Sequence, residues 1–169
     1  MWNDTDTPIA FLITFRTYGT WLHGDERGSV DRHQNIYTQP PIESNPHWRE
    51  ISRSGMKQEP VKLNGPMRMV VEDAIRETCL KRNWQLAAIN VRTNHTHTVA
   101  KIGDKKPSIA LNAFKANATR VFRERGLWSS DRSPWVDKGS CRWLWTEKHV
   151  LDAVEYVMER QGADLPRFD

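Results

Sequence analysis

Residues 86–102 read LAAINVRTNHTHTVAKI. Two short runs rich in β-branched and apolar residues, Leu86 to Arg92 and His95 to Ile102, are joined at Thr93-Asn94 and stopped by Gly103-Asp104. This pattern predicts a β-hairpin with a histidine pair at the start of its second arm. Side chains alternate along a strand, so His95 and His97 share one sheet face and Thr96 takes the other. Two imidazoles on one face can hold one divalent cation, which makes the pair a candidate metal site. An HxH pair in isolation is more often an ordinary hydrogen-bonded or surface pair, so the surrounding sequence has to decide.

Working outward, Ile9 to Thr17 (IAFLITFRT) is a buried strand by its β-branched and aromatic content. Asn64-Gly65-Pro66 is a helix start, and Met67, Val70, Val71, Ala74, Ile75, Thr78 and Cys79 recur at helical spacing up to Asn83. After the hairpin, Lys106-Pro107-Ser108 opens a second helix whose apolar stripe (Ala110, Leu111, Phe114, Val121, Phe122) ends at Gly126. A Trp/Pro/Ser-rich connection leads to a strand at Arg142 to Trp145 and a last helix from Glu147 to about Gln161. The order β-α-β-β-α-β-α predicts an α+β, ferredoxin-like antiparallel sheet with helices on one face, plus an added C-terminal helix. The chain reads as one domain over 1–169, interrupted by a polar loop at about 23–64 that has no periodicity.

A chain of 169 residues fits one core. A formal charge of +4 suits an anionic partner without identifying one. The two cysteines, Cys79 and Cys141, form no metal-finger or CxxC spacing and read as reduced core residues of a cytosolic protein. No apolar run approaches the roughly 20 residues that cross a bilayer, so no membrane partner is expected.

Other features bear on chemistry. On the last helix Val150, Leu151, Val154, Val157 and Met158 define an apolar stripe, and Tyr156 falls nearly opposite it, which aims its hydroxyl at a polar site or at solvent. The second helix carries Lys115, Arg120 and Arg123 after Lys105 and Lys106, a surface suited either to phosphates or simply to solvent. Of eight tryptophans, Trp21, Trp128 and Trp135 are candidates to stack unpaired bases, while Trp143 and Trp145 are expected in the core.

Phe11–Thr17, Asn94-His95-x-His97, the helix of 107–125 and the Tyr156 helix occur in an order that resembles the single-tyrosine HUH transposases, REP-associated tyrosine transposases in particular. The resemblance covers most of the chain outside the 23–64 loop. It implies a single-stranded DNA endonuclease and strand transferase working at hairpin-flanked sites in the bacterial cytoplasm. By the same resemblance His95 and His97 are ligands of Mg²⁺ or Mn²⁺, and Tyr156 is the nucleophile of a 5′-phosphotyrosine intermediate. Arg16, Tyr18, Trp21, Lys105, Lys106, Lys115, Arg120 and Arg123 become the DNA-binding set, with single-stranded or hairpin DNA as partner and a homodimer possible. The chain departs from the family pattern twice. Thr96 stands where the family has a large hydrophobic residue, and Arg160 occupies the position of the third ligand, one turn after the tyrosine. An arginine cannot coordinate a cation. Asp152 or Glu159 would have to substitute, because Gln161 on a regular helix is rotated toward the stripe. That departure keeps open a binder of hairpin or single-stranded DNA that has lost cleavage, and an RNA-binding module is a further alternative.

Overall fold

The computed structural model describes residues 7–19 and 58–167. In chain order the elements are β1 (Ala10–Arg16), α1 (Gly65–Lys81), β2 (Gln85–Val91), β3 (His95–Lys101), α2 (Pro107–Glu124), β4 (Ser140–Leu144) and α3 (Glu147–Glu159). The strands form one antiparallel sheet in the order β2-β3-β1-β4, the ferredoxin-like arrangement expected from the element order. Trp21 and the 20–57 part of the polar loop lie outside the described residues.

Local signals set the element ends. Asn64 caps α1 by accepting from Met67 N at 3.0 Å, and Asn83 leaves the helix in the left-handed region at φ 57°. Gly126, at φ 71°, ends α2 in the same way. The fourth strand begins at Ser140, two residues earlier than the expected Arg142, because its ladder with β1 runs back to the Thr14–Ser140 pair.

Alternation along the strands divides the apolar residues between two cores. Phe11, Ile13 and Phe15 of β1 pack with Val71 and Ile75 of α1 and Phe114 and Phe122 of α2 on one face. On the other face Ala10, Leu12, Ala88, Val99 and Leu144 pack under Ala153 and Val157 of α3. Helices therefore cover both faces: two on one and the C-terminal helix on the other.

Two aromatic expectations are corrected. Trp135 is 3% exposed and packs edge-on to Phe15 and stacked with Phe122, so it is core and no base-stacking platform. Trp143 is 55% exposed. It sits on β4, an edge strand, on the face that α1 and α2 cover, and meets Trp145 edge-on. Just before β4, Gly139 leaves no room for a side chain: a Cβ there would stand 2.6 Å from the backbone oxygen of Thr14. Among the described residues no helix is long and apolar enough to cross a membrane.

Candidate active site

The α3-covered face changes character along its length. Near Leu12, Val99 and Leu144 it is apolar. Toward the start of β3, register brings Asn90, His97, Thr14 and Ser140 side by side across all four strands. His95 lies opposite Arg16.

Each histidine is fixed through Nδ1. In His95 it meets Asn94 Oδ1 at 2.6 Å, an oxygen that only accepts, so Nδ1 donates. In His97 it meets the Thr14 hydroxyl at 2.7 Å. Both Nε2 atoms are thereby left for a shared site, the orientation seen when imidazoles ligate metals. The rings stand 4.7 Å apart. His97 is 5% exposed, and burial first, then the neighbouring His95, pushes its pKa down to about 3, with the Arg16 and Arg142 cations acting in the same direction. The ring is therefore neutral at ordinary pH, as a ligand must be.

Helix α3 brings the tyrosine to this pair. Thr146 caps it by accepting from His149 N at 3.1 Å. Its buried face is Ala153 and Val157 flanked by Val150 and Val154, while Leu151 and Met158 are exposed. The buried stripe is thus rotated from the one read in the sequence. At roughly 100° per residue, Tyr156 lies only about 60° from Ala153 and flanks the packed face. Its ring stands 5.3 Å from that of His97, and the residue keeps 37% exposure. The tyrosine ring meets that of His97 within its own chain.

The expected substitutes for the third ligand do not reach the pair. Among the described residues no group of three His, Cys, Asp or Glu forms a cation site. Asp152 pairs with Lys148 at 2.9 Å, and Arg160 turns away to Glu155 at 3.2 Å. Gln161 comes in instead. The helix ends at Glu159, the chain leaves helical geometry at Arg160 (φ −115°, ψ 22°), and Gln161 Oε1 stands 3.2 Å from His95 Nε2. The regular-helix projection for Gln161 fails because no regular helix exists there. Its amide nitrogen donates to Tyr156 O at 3.0 Å, which fixes the oxygen toward the imidazoles.

Two imidazole nitrogens and an amide oxygen are donors that a divalent first-row cation can accept. With His95 neutral and Nδ1 donating to Asn94, Nε2 and the Gln161 oxygen would each offer a lone pair to one cation. His95 Nε2 and the Gln161 oxygen stand 3.2 Å apart, close enough for both to serve one cation.

The other DNA-binding candidates separate in space. Arg16 lies on the histidine face. Tyr18 follows β1, half-buried, its backbone tied to Pro134 O and Val61 N. Lys105 and Lys106 are exposed ahead of α2, and Lys115, Arg120 and Arg123 lie on α2, across the sheet from the histidines. Lys115 donates to Val136 O at 2.8 Å and also to Lys138 O, and burial pulls its pKa down to about 8. It straps the approach to β4. Arg120 bonds Glu124 at 2.7 Å, and Arg123 bonds Ser130 O at 3.1 Å. With Lys115 these two line a groove of about 680 Å³ against Trp135. Arg142, absent from the expected set, shares its face with Thr14 and acts on His97 together with Arg16. Two-residue alternation back from Leu144 would have found it.

Residues 55–160 match the family model described as transposase IS200 like. No curated protein matches. A solved structure from Deinococcus radiodurans R1, provisionally classed as a transposase, aligns over 97% of this chain and 98% of its own at 12% identity and a TM-score of 0.47.

Proposed function

The chain belongs to the IS200-like transposase family, whose work is DNA transposition, and from that premise we propose that it cuts and rejoins single-stranded or hairpin DNA, with Tyr156 as nucleophile and His95, His97 and Gln161 holding Mg²⁺ or Mn²⁺. One observation carries this reading: two imidazoles with Nδ1 engaged, an amide oxygen and a phenol ring meet at one end of α3.

A bound divalent ion supplies positive charge against the scissile phosphate, which a phenol of pKa near 10 needs at neutral pH. The chain's own residues do the rest. His97, kept neutral, and His95, fixed by Asn94, present Nε2, while Gln161 presents oxygen. Arg16 and Arg142 add cationic charge on the same face, where a phosphate backbone would pass. The Tyr156 oxygen forms a bond to phosphorus as the bond from phosphorus to the 3′ oxygen breaks. The phenolic proton leaves to water, and the departing oxygen takes up a proton to become a 3′-OH. Attack by a 3′-OH on the phosphotyrosine reverses these steps and restores the phosphodiester without ATP. The groove on α2, across the sheet, carries Lys115, Arg120 and Arg123 beside Glu124 and Asp131 and would meet more distant phosphates of the same DNA.

The test is incubation with Mn²⁺ and labelled single strands carrying candidate hairpins, followed by denaturing electrophoresis. A covalent adduct is expected from the wild type and none from Tyr156→Phe or His97→Ala. An adduct that survives Tyr156→Phe sinks the nucleophile, and one formed undiminished in EDTA sinks the metal.

A further inference from the structure

Gln161 reaches the histidines only because α3 stops short, and the groups that hold the chain beyond the stop come from β2 and its continuation. Asn90, the β2 neighbour of His97 in the ladder, donates from Nδ2 to Val157 O at 2.9 Å. That carbonyl belongs to the last turn of the helix, where no backbone N–H four residues on would satisfy it once the helix ends. Arg92, whose backbone N–H donates to His95 O at 2.8 Å, reaches Ala163 O at 2.9 Å with its guanidinium. The two bonds therefore grip the chain on either side of Gln161. Between them Gly162 takes φ +90°, and a Cβ built there would stand 3.5 Å from the Arg92 guanidinium. Gln161 itself donates back to Tyr156 O.

Resting on the metal reading above, we infer that Asn90 and Arg92 are positioning residues that end α3 at Glu159 and so place the Gln161 oxygen beside His95. Neither touches the reacting atoms. Both act through the path of the backbone. A helix that continued would carry residue 160 to the place one turn beyond Tyr156 and rotate Gln161 away by roughly 140° from Tyr156. The bond from Asn90 gives the last turn a carbonyl partner from outside the helix, and the bond from Arg92 holds the unwound segment against the sheet edge. Partners that orient a ligand in this way are worth about 10–100-fold in metal affinity.

The test is a titration of Mn²⁺, followed by the loss of its free-ion paramagnetic resonance signal, into the wild type, Asn90→Ala, Arg92→Ala, Gln161→Ala and each double variant with Gln161→Ala. Asn90→Ala is expected to bind Mn²⁺ about 10-fold more weakly or worse, with Arg92→Ala weaker in the same direction. In the Gln161→Ala background neither change should have any further effect, because the residue through which they act is gone. A general loss of structure would instead weaken binding in both backgrounds. Arg92 is at the surface, so Arg92→Ala keeps the test open if Asn90→Ala fails to fold. Affinities within twofold of wild type for both single variants, or equal losses with and without Gln161, overturn the inference and leave the metal centre standing. A wild type that binds no Mn²⁺ removes the metal centre and this inference with it.

Discussion

The two faces of the sheet are made from the same strands and do different work. Under α1 and α2 the side chains are mostly apolar, from Phe11 and Phe15 across to Phe114 and Phe122, with the buried Thr96 and Thr98 among them. Under α3 the apolar contact is confined to one end, and the other end carries Asn90, His97, Thr14 and Arg16. A face covered by two helices can exclude water throughout. One helix leaves an open end where polar groups gather, and the proposed site lies there. Alternation along β1 and β3 lets adjacent residues serve both purposes: Thr96 and Thr98 point into the large core, and His95 and His97 point out of it.

The largest expected effect tests the open end alone. Tyr156→Phe should abolish covalent adduct formation while leaving the melting temperature and hairpin affinity close to wild type, since the hydroxyl flanks the packed face. Truncations come next and compare the cores. Phe114→Ala, in a fully buried position under the paired helices, should cost about 3–5 kcal/mol in denaturant titration. Val157→Ala, which removes two buried methylene equivalents beneath α3, should cost about 2 kcal/mol. A Val157→Ala loss as large as that of Phe114→Ala, from a much smaller group, would make the α3 face the more tightly packed and break the distinction.

A smaller effect has the opposite sign. Thr96 is fully buried, and its hydroxyl has no hydrogen-bond partner among the described residues. Thr96→Val keeps the shape and removes the stranded hydroxyl, so it should stabilise by about 1 kcal/mol, with Mn²⁺ affinity unchanged because the side chain points away from the site. The smallest effect concerns the Lys115 strap. Its pKa falls from 10.5 to about 8 on folding, so between those values the unfolded chain binds more protons. Stability should rise with pH across that window, reach its full value above 10.5 and be lost as pH falls through 8. Solvent screening of a partly exposed ammonium keeps the slope shallow. Lys115→Met should remove it, and paired denaturation curves at pH values on either side of the window would detect the difference.

Much of this was legible in the chain because it is local. The hairpin of 86–102, the Asn64 cap and the shared face of His95 and His97 follow from period-two alternation and capping chemistry. What escaped depends on neighbours. Edge position exposes Trp143, and a core contributed by α2 and β1 buries Trp135; neither can be read from a strand's own residues. A continuous helix turns Gln161 away from the histidines, and the bonds from Asn90 and Arg92 that accompany its early end come from 71 residues or fewer back along the chain. Arg160, which argued against a complete ligand set, is displaced by the same irregularity.

Gly139 gives the site a point of control behind the sheet. Its missing side chain lets the chain entering β4 press against the backbone of Thr14, whose hydroxyl steadies His97. A side chain at 139 would crowd the Thr14 carbonyl and Leu111, so the chain must shift at this contact, one residue's width from the hydroxyl that holds an imidazole. On the proposed metal reading, packing at position 139 bears on how His97 is seated, although the glycine touches no side chain of the site.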